Sequence, residues 1–217
     1  MPLLHSIILV LSLTAAIGYG INVRETPSVP RMITKTSAIG LLALLSATLH
    51  APRLLIAAQA FGALGDAFLA WDDDGSFLRG LGSFLTAHIF YITLFINSAN
   101  GWEILLSGGW RAFAAAFMLL LASGMVVILL PRVSYHLRVP ILVYSIAIYA
   151  MVLTALTVDN TRLISGAIIF TASDSLLATE KFLVSHNSSH RAWMEHAVWV
   201  LYYFGQLLIM LGLLNLA

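Results

Sequence analysis

The stretch GALGDAFLAWDDDGSFLRGLGSFLTAHIFY, Gly62 to Tyr91, puts an aspartate inside one apolar run and a histidine and a tyrosine inside the next. Only the acidic turn Asp72 to Gly75 separates the two runs. Apolar runs of roughly 17 to 25 residues are long enough to cross a bilayer as helices, and helices satisfy their own backbone there. Asp66, His88 and Tyr91 are then polar groups at membrane depth.

The whole chain agrees with that reading. Of its 217 residues 60% are hydrophobic and 10% charged, with a mean hydropathy of +0.93, far from the roughly one-quarter charged residues of a soluble domain. It reads as an integral membrane protein. The formal charge of +1 is a small difference of 11 basic and 10 acidic residues, so there is no basic field to attract nucleic acid. The absence of cysteine excludes disulfides and thiolate chemistry. Histidine and carboxylate remain as the reactive groups.

Eight apolar runs are present, at about 3–21, 32–50, 53–71, 78–97, 110–130, 138–157, 161–184 and 192–216. They predict an all-α fold, a polytopic membrane helical bundle of about eight transmembrane helices forming one domain over residues 1–217. Residues 3–21 read as a retained span rather than a leader, because Met1 to Leu4 carries no Lys or Arg. Connections are short, the longest running from Asn97 to Gly109. Arg24, Arg31, Lys35, Arg79, Arg132, Arg138, Lys181 and Arg191 gather at one side against Arg53, Arg111 and Arg162 at the other. This bias places the first set in the cytoplasm and both termini on the non-cytoplasmic side. The membrane is the cell inner membrane for a bacterial chain and the endoplasmic reticulum for a eukaryotic one.

The halves echo each other. Arg53-Leu54-Leu55 leading to Gly65-Asp66-Ala67 resembles Arg162-Leu163-Ile164 leading to Ser173-Asp174-Ser175, and His88 and His196 follow their aspartates at the same spacing. Two explanations fit, a 4+4 internal duplication with a pseudo-axis along the membrane normal, or chance similarity among apolar helices.

Ionisable groups inside spans cost roughly 2.5 to 3.5 kcal/mol each on insertion scales, so they face the bundle interior or a wet cavity. Lys35, Asp66, His88, Asp174 and Lys181 require explanation. Helical spacing aligns Gln59, Gly62 and Asp66 in one stripe, Phe84, His88 and Tyr91 in a second, Gly166, Phe170 and Asp174 in a third, and Trp199, Tyr203 and Gln206 in a fourth. The structural alternative is interhelical hydrogen bonding, Asp66 to His88 or Asp174 to Lys181. Two membrane carboxylates in different helices favour acid-base hydrolysis over that alternative. Asp72 to Gly75 lacks the full calcium-loop pattern, and His186 and His190 share a metal-compatible spacing but sit in a loop-like segment. No phosphate-cradling glycine loop is present.

These blocks resemble the lysoplasmalogenase family of membrane proteins, the YhhN type, from the second helix to the last. The matching residues are Thr34-Lys35, Gly65-Asp66, Phe77, Gly80-Leu81, Phe84, His88 and Tyr91, then Pro140 and Tyr144, Gly166-Ala167, Phe170, Ser173-Asp174-Ser175, Lys181-Phe182, Tyr202-Tyr203 and Gln206. Thr36 departs, standing where the family has proline, which bears on the local kink of the second helix.

The resemblance implies hydrolysis of the vinyl ether bond of lysoplasmalogens to a fatty aldehyde and glycerophosphoethanolamine or glycerophosphocholine, with no cofactor. A vinyl ether is activated by protonation at carbon, which calls for an acid that keeps its proton near neutral pH, as carboxyls withdrawn from water do. Water then captures the oxocarbenium ion with help from a second, ionised carboxylate. Asp66 and Asp174 are the expected pair, with acid and base roles open between them. His88, Tyr91, Tyr144, Tyr203 and Gln206 are expected to position water and the ether oxygen, and Lys35 and Lys181 to hold the lipid phosphate, though Lys181 also fits simple snorkelling to the headgroups. The expected partners are an alkenyl lysophospholipid substrate and membrane lipids. A small lipid or solute transporter or binding protein using the same aspartates fits the residues too, as does a metal-dependent lipid amidase built on His88, His196 and the aspartates; aldehyde release and chelator sensitivity separate them.

Overall fold

Capping residues set where the apolar runs become helices. The computed structural model describes residues 3–107, 109–185 and 187–214, and among them are α1 Leu3–Ile21, α2 Val29–Thr48, α3 Arg53–Phe68, α4 Asp74–Asn97, α5 Glu103–Leu106, α6 Trp110–Leu129, α7 Tyr135–Ala155, α8 Thr161–Leu183 and α9 His190–Leu214. No strand occurs among the described residues. Each apolar run is one long helix, but α2, α4, α7 and α9 begin before the runs do. The reason is visible at the caps. The Ser28 side chain accepts from the Arg31 N–H with Pro30 in the first turn of α2, and Asp73 accepts from the Ser76 N–H at the start of α4, so the helix starts at the cap while the apolar face starts a turn later.

Six helices, α1, α4, α6, α7, α8 and α9, are long and apolar enough to cross a membrane. The eight expected spans are therefore all helical, but α2 and α3 fall outside that group. With 16 residues, α3 is about 24 Å long, short of a hydrocarbon core of about 30 Å, and α2 carries Arg31 and Lys35 in its first two turns.

Glycine brings α8 and α9 into backbone contact. A Cβ added at Gly166 would lie 2.7 Å from the Ile209 nitrogen and 2.8 Å from the Gly205 carbonyl oxygen. Small residues thus let these two backbones approach closely. Elsewhere α3 packs on α4, α4 meets α7 and α9 meets α2. The helix α1 is tied to this framework by the Ser12 hydroxyl, which donates to the Ala38 carbonyl at 2.6 Å, and by the Trp199 indole, which donates to the Ala16 carbonyl at 2.8 Å. By contrast α6 buries only Arg111, Met118 and Leu129. Arg111 fastens its first turn, donating to the Leu156 and Val158 carbonyls and pairing with Asp159 at 2.8 Å.

Candidate active site

Each aspartate is held by a side chain from another helix. Lys35 of α2 stands 3.7 Å from Asp66 Oδ1, with 11% and 2% of the two side chains exposed, and Tyr202 of α9 donates to Asp66 Oδ2 at 2.8 Å. Gly62, one turn before Asp66, makes room for that phenol, since a Cβ there would sit 3.2 Å from the Tyr202 hydroxyl. Across the bundle, Tyr144 of α7 donates to Asp174 Oδ2 of α8 at 2.5 Å. Burial makes Lys35 energetically necessary to an ionised Asp66, because stripping one member from a buried ion pair costs about 3–5 kcal/mol.

Asp66 and Asp174 both line a cavity of about 280 Å³ that Tyr144 and Tyr202 also line. On one side its wall is apolar, with Met118, Leu121 and Met125 from α6 and Ile148 and Val152 from α7. At the end of the bundle where α2, α4 and α9 begin, Arg31, Asp72, Lys181, Arg191 and Glu195 line it, and these five also line a polar vestibule of about 470 Å³. An amphipathic ligand fits such a gradient, tail along the apolar wall and head in the vestibule.

Of the expected binding residues, Lys35, Tyr144 and Lys181 line the cavity, whereas His88, Tyr91, Tyr203 and Gln206 stand behind its wall. His88 is fully buried and its Nδ1–H donates to the Phe84 carbonyl at 2.6 Å, with its ring edge against Tyr144 at 5.1 Å. Tyr91 donates to Gln206 Oε1, and the Tyr203 hydroxyl shares a hydrogen bond with Ser12. Neither Asp66 to His88 nor Asp174 to Lys181 forms among the described residues. The Lys181 ammonium instead lies over the Phe77 ring, 4.7 Å from its centre.

Three features lie outside the sequence reading of the site. Tyr202 rather than its neighbour Tyr203 reaches an aspartate; its signal was the tyrosine pair, one member of which had to face Gly62. Glu180 is buried against Arg191, and Arg31 lines the cavity. The apolar wall follows α6 and α7, while glycine contacts close the α8–α9 seam. His186 lies outside the described residues, His196 is exposed, and no three His, Asp or Glu side chains cluster with metal-binding geometry among the described residues.

Comparison with known proteins matches residues 30–213 to the family model described as the YhhN family. A Mycobacterium bovis protein named lysoplasmalogenase is 31% identical over 166 residues, covering 74% of this chain and 60% of that protein, and a Mycobacterium tuberculosis protein of the same name matches to the same extent. Human lysoplasmalogenase TMEM86B is 29% identical over 164 residues, covering 75% of this chain and 64% of the human protein. The chain thus spans less than two thirds of the length of these relatives. No solved structure gives a significant match. With its six long apolar helices, the chain is an integral, multi-pass membrane protein.

Proposed function

We propose that this chain, which belongs to the YhhN family, hydrolyses the vinyl ether bond of lysoplasmalogens through Asp66 and Asp174, releasing a fatty aldehyde and glycerophosphoethanolamine or glycerophosphocholine. The observation that carries this reading is the pair of carboxyls, from α3 and α8, on one cavity with an apolar wall and a charged mouth. The names of the mycobacterial and human relatives support it.

Charge complementarity divides the work. The Lys35 ammonium faces Asp66 and matches a carboxylate, so Asp66 is the base and the electrostatic stabiliser. Asp174 faces only the neutral Tyr144 phenol among the described residues, so it is the acid. Asp174 gives its proton to the alkenyl carbon remote from the ether oxygen, the double-bond electrons form the new C–H bond, and the oxygen lone pair completes an oxocarbenium ion. Water adds to the carbon bearing oxygen and passes a proton to Asp66. The resulting hemiacetal collapses as its hydroxyl returns a proton to Asp174 and the carbon–oxygen bond to glycerol breaks, the glycerol oxygen taking the proton held by Asp66, so both carboxyls regain their starting states. One water is consumed, and aldehyde and glycerophospho-alcohol leave.

By the charge bias of the chain the vestibule faces the cytoplasm and both termini the opposite side. The deciding experiment is aldehyde release by purified wild type, Asp66→Asn and Asp174→Asn on 1-alkenyl lysophospholipids. The wild type releases aldehyde, and each variant folds yet turns over none, because Asn keeps the shape and removes proton exchange. Full activity in either variant overturns the mechanism. A wild type that binds the lipid without releasing aldehyde returns the chain to the transporter reading.

A further inference from the structure

The vestibule contains both signs of charge, and four of its charged side chains already have partners. Arg191 pairs with the buried Glu180 and with Glu195 at 3.6 Å, Arg24 with Glu195 at 3.3 Å, and Asp74 with His136 at 3.8 Å. Asp73 is used as the cap of α4, and Lys35 belongs to Asp66. Three charges that line both the reaction cavity and the vestibule have no oppositely charged side chain within 4.0 Å among the described residues: Arg31, Lys181 and Asp72.

Arg31 is also rigidly aimed. Its guanidinium donates to the Ala70 carbonyl at 3.0 Å, to the Val23 carbonyl at 2.9 Å and to the Tyr19 hydroxyl at 3.4 Å. All three acceptors are neutral, so the fork is fixed while its charge stays uncompensated, and its Nε has no hydrogen-bond partner. Lys181, stacked over Phe77, keeps its charge near an aromatic face without neutralising it. Two fixed cations with Asp72, the free carboxylate that lines the reaction cavity as well as the vestibule, complement a group that is negative at one point and positive a few bonds further on.

Resting on the proposed function, we infer that the vestibule is a zwitterion site: Arg31 and Lys181 receive the phosphate of a lysophospholipid head and Asp72 the ammonium beyond it. This reassigns the phosphate from Lys35, whose charge is spent on Asp66. It also makes the head a selectivity element, favouring an ammonium-bearing phosphodiester over a phosphomonoester.

The test uses 1-alkyl lysophospholipids, which lack the vinyl bond and so are bound without turnover. Their Kd is read from tryptophan fluorescence, since Trp71 and Trp199 line the cavity. Lys181→Gln is expected to weaken both the phosphoethanolamine and the phosphomonoester lipid by about tenfold. Asp72→Asn should weaken only the phosphoethanolamine lipid, by about fivefold, and leave the phosphomonoester unchanged or tighter. Arg31→Lys keeps the charge and loses the fork, so it guards against misfolding of a neutral variant and should weaken both lipids several-fold. Inorganic phosphate and glycerophosphoethanolamine as competitors distinguish a free phosphate site from a lipid head site, and stronger displacement by inorganic phosphate counts against the ammonium arm. Unchanged Kd values in Lys181→Gln and Arg31→Lys, or equal effects of Asp72→Asn on both heads, overturn the site. If these binding effects appear but alkenyl lipid yields no aldehyde, the hydrolase reading falls and the headgroup site stands; aldehyde release with indifferent binding has the opposite meaning.

Discussion

Replacing Tyr144 by Phe removes one oxygen and leaves Asp174 with no hydrogen-bond partner among the described residues. In the proposed mechanism Asp174 starts neutral and becomes a carboxylate as it releases its proton, so the phenol donor matters most as charge develops. A hydrogen bond to a charged group is worth about 1.5–3 kcal/mol, and at about 1.36 kcal/mol per tenfold that is roughly a ten- to a hundred-and-fifty-fold loss of kcat, with KM little changed. Tyr202→Phe gives the comparison. It removes the equivalent donor from Asp66, but the Lys35 ammonium 3.7 Å away stays, so its loss should fall at the low end of that range. Initial rates of aldehyde release on a 1-alkenyl lysophospholipid measure both, with thermal unfolding as the folding control. A Tyr144→Phe kcat within about twofold of wild type, or a larger loss in Tyr202→Phe, refutes the reasoning.

Gly166→Ala and Gly18→Ala should move stability in opposite directions. The first drives a methyl into the α9 backbone and costs about 1–3 kcal/mol, whereas the second meets nothing within 4 Å and, inside α1, gains about 0.5–1 kcal/mol; Tm in detergent reads both, and a shared sign defeats the packing account. Ala122→Trp fills the apolar wall on α6, so KM should rise for long alkenyl chains more than for short ones, at about 0.8 kcal/mol per excluded methylene; an unchanged chain-length profile moves the tail elsewhere. The Ser76 side chain and backbone N–H hold the Asp73 carboxyl below its ordinary range. Its stabilisation is present above the ordinary carboxylate value and is lost as pH falls through the lowered one, so the Tm gap between wild type and Asp73→Ala should be open at neutral pH and close on acidification.

The long helices were legible because hydropathy over a span is a local property, and their misplaced starts were misplaced by their caps. Which residues share a face was legible for the same reason. Which faces meet was not. Asp66 finds Lys35 on the helix before it and Tyr202 on the last helix, and Asp174 finds Tyr144, while His88, Tyr91 and Gln206 from the second and fourth stripes turn to each other or to backbone in a layer behind. Helical periodicity distinguishes Tyr202 from Tyr203 by about 100° of rotation, but only the packing of α9 decides which of the two looks at Gly62. Glu180 escaped notice because its partner Arg191 sits across a turn, at the start of the next helix.

One helix alone separates the cavity from the bilayer along α6. Its outer residues Phe113, Leu120 and Val127 are 75%, 72% and 71% exposed, and Met118, Leu121, Ala122 and Met125 line the cavity on its other side. On the proposed function, a lysolipid meets this thin wall from within the leaflet, and what saturates the enzyme is then a mole fraction in a plane. At fixed bulk substrate, adding inert phospholipid dilutes the surface and slows turnover, so two preparations with the same molar concentrations and different lipid content will report different rate laws for an unchanged active site.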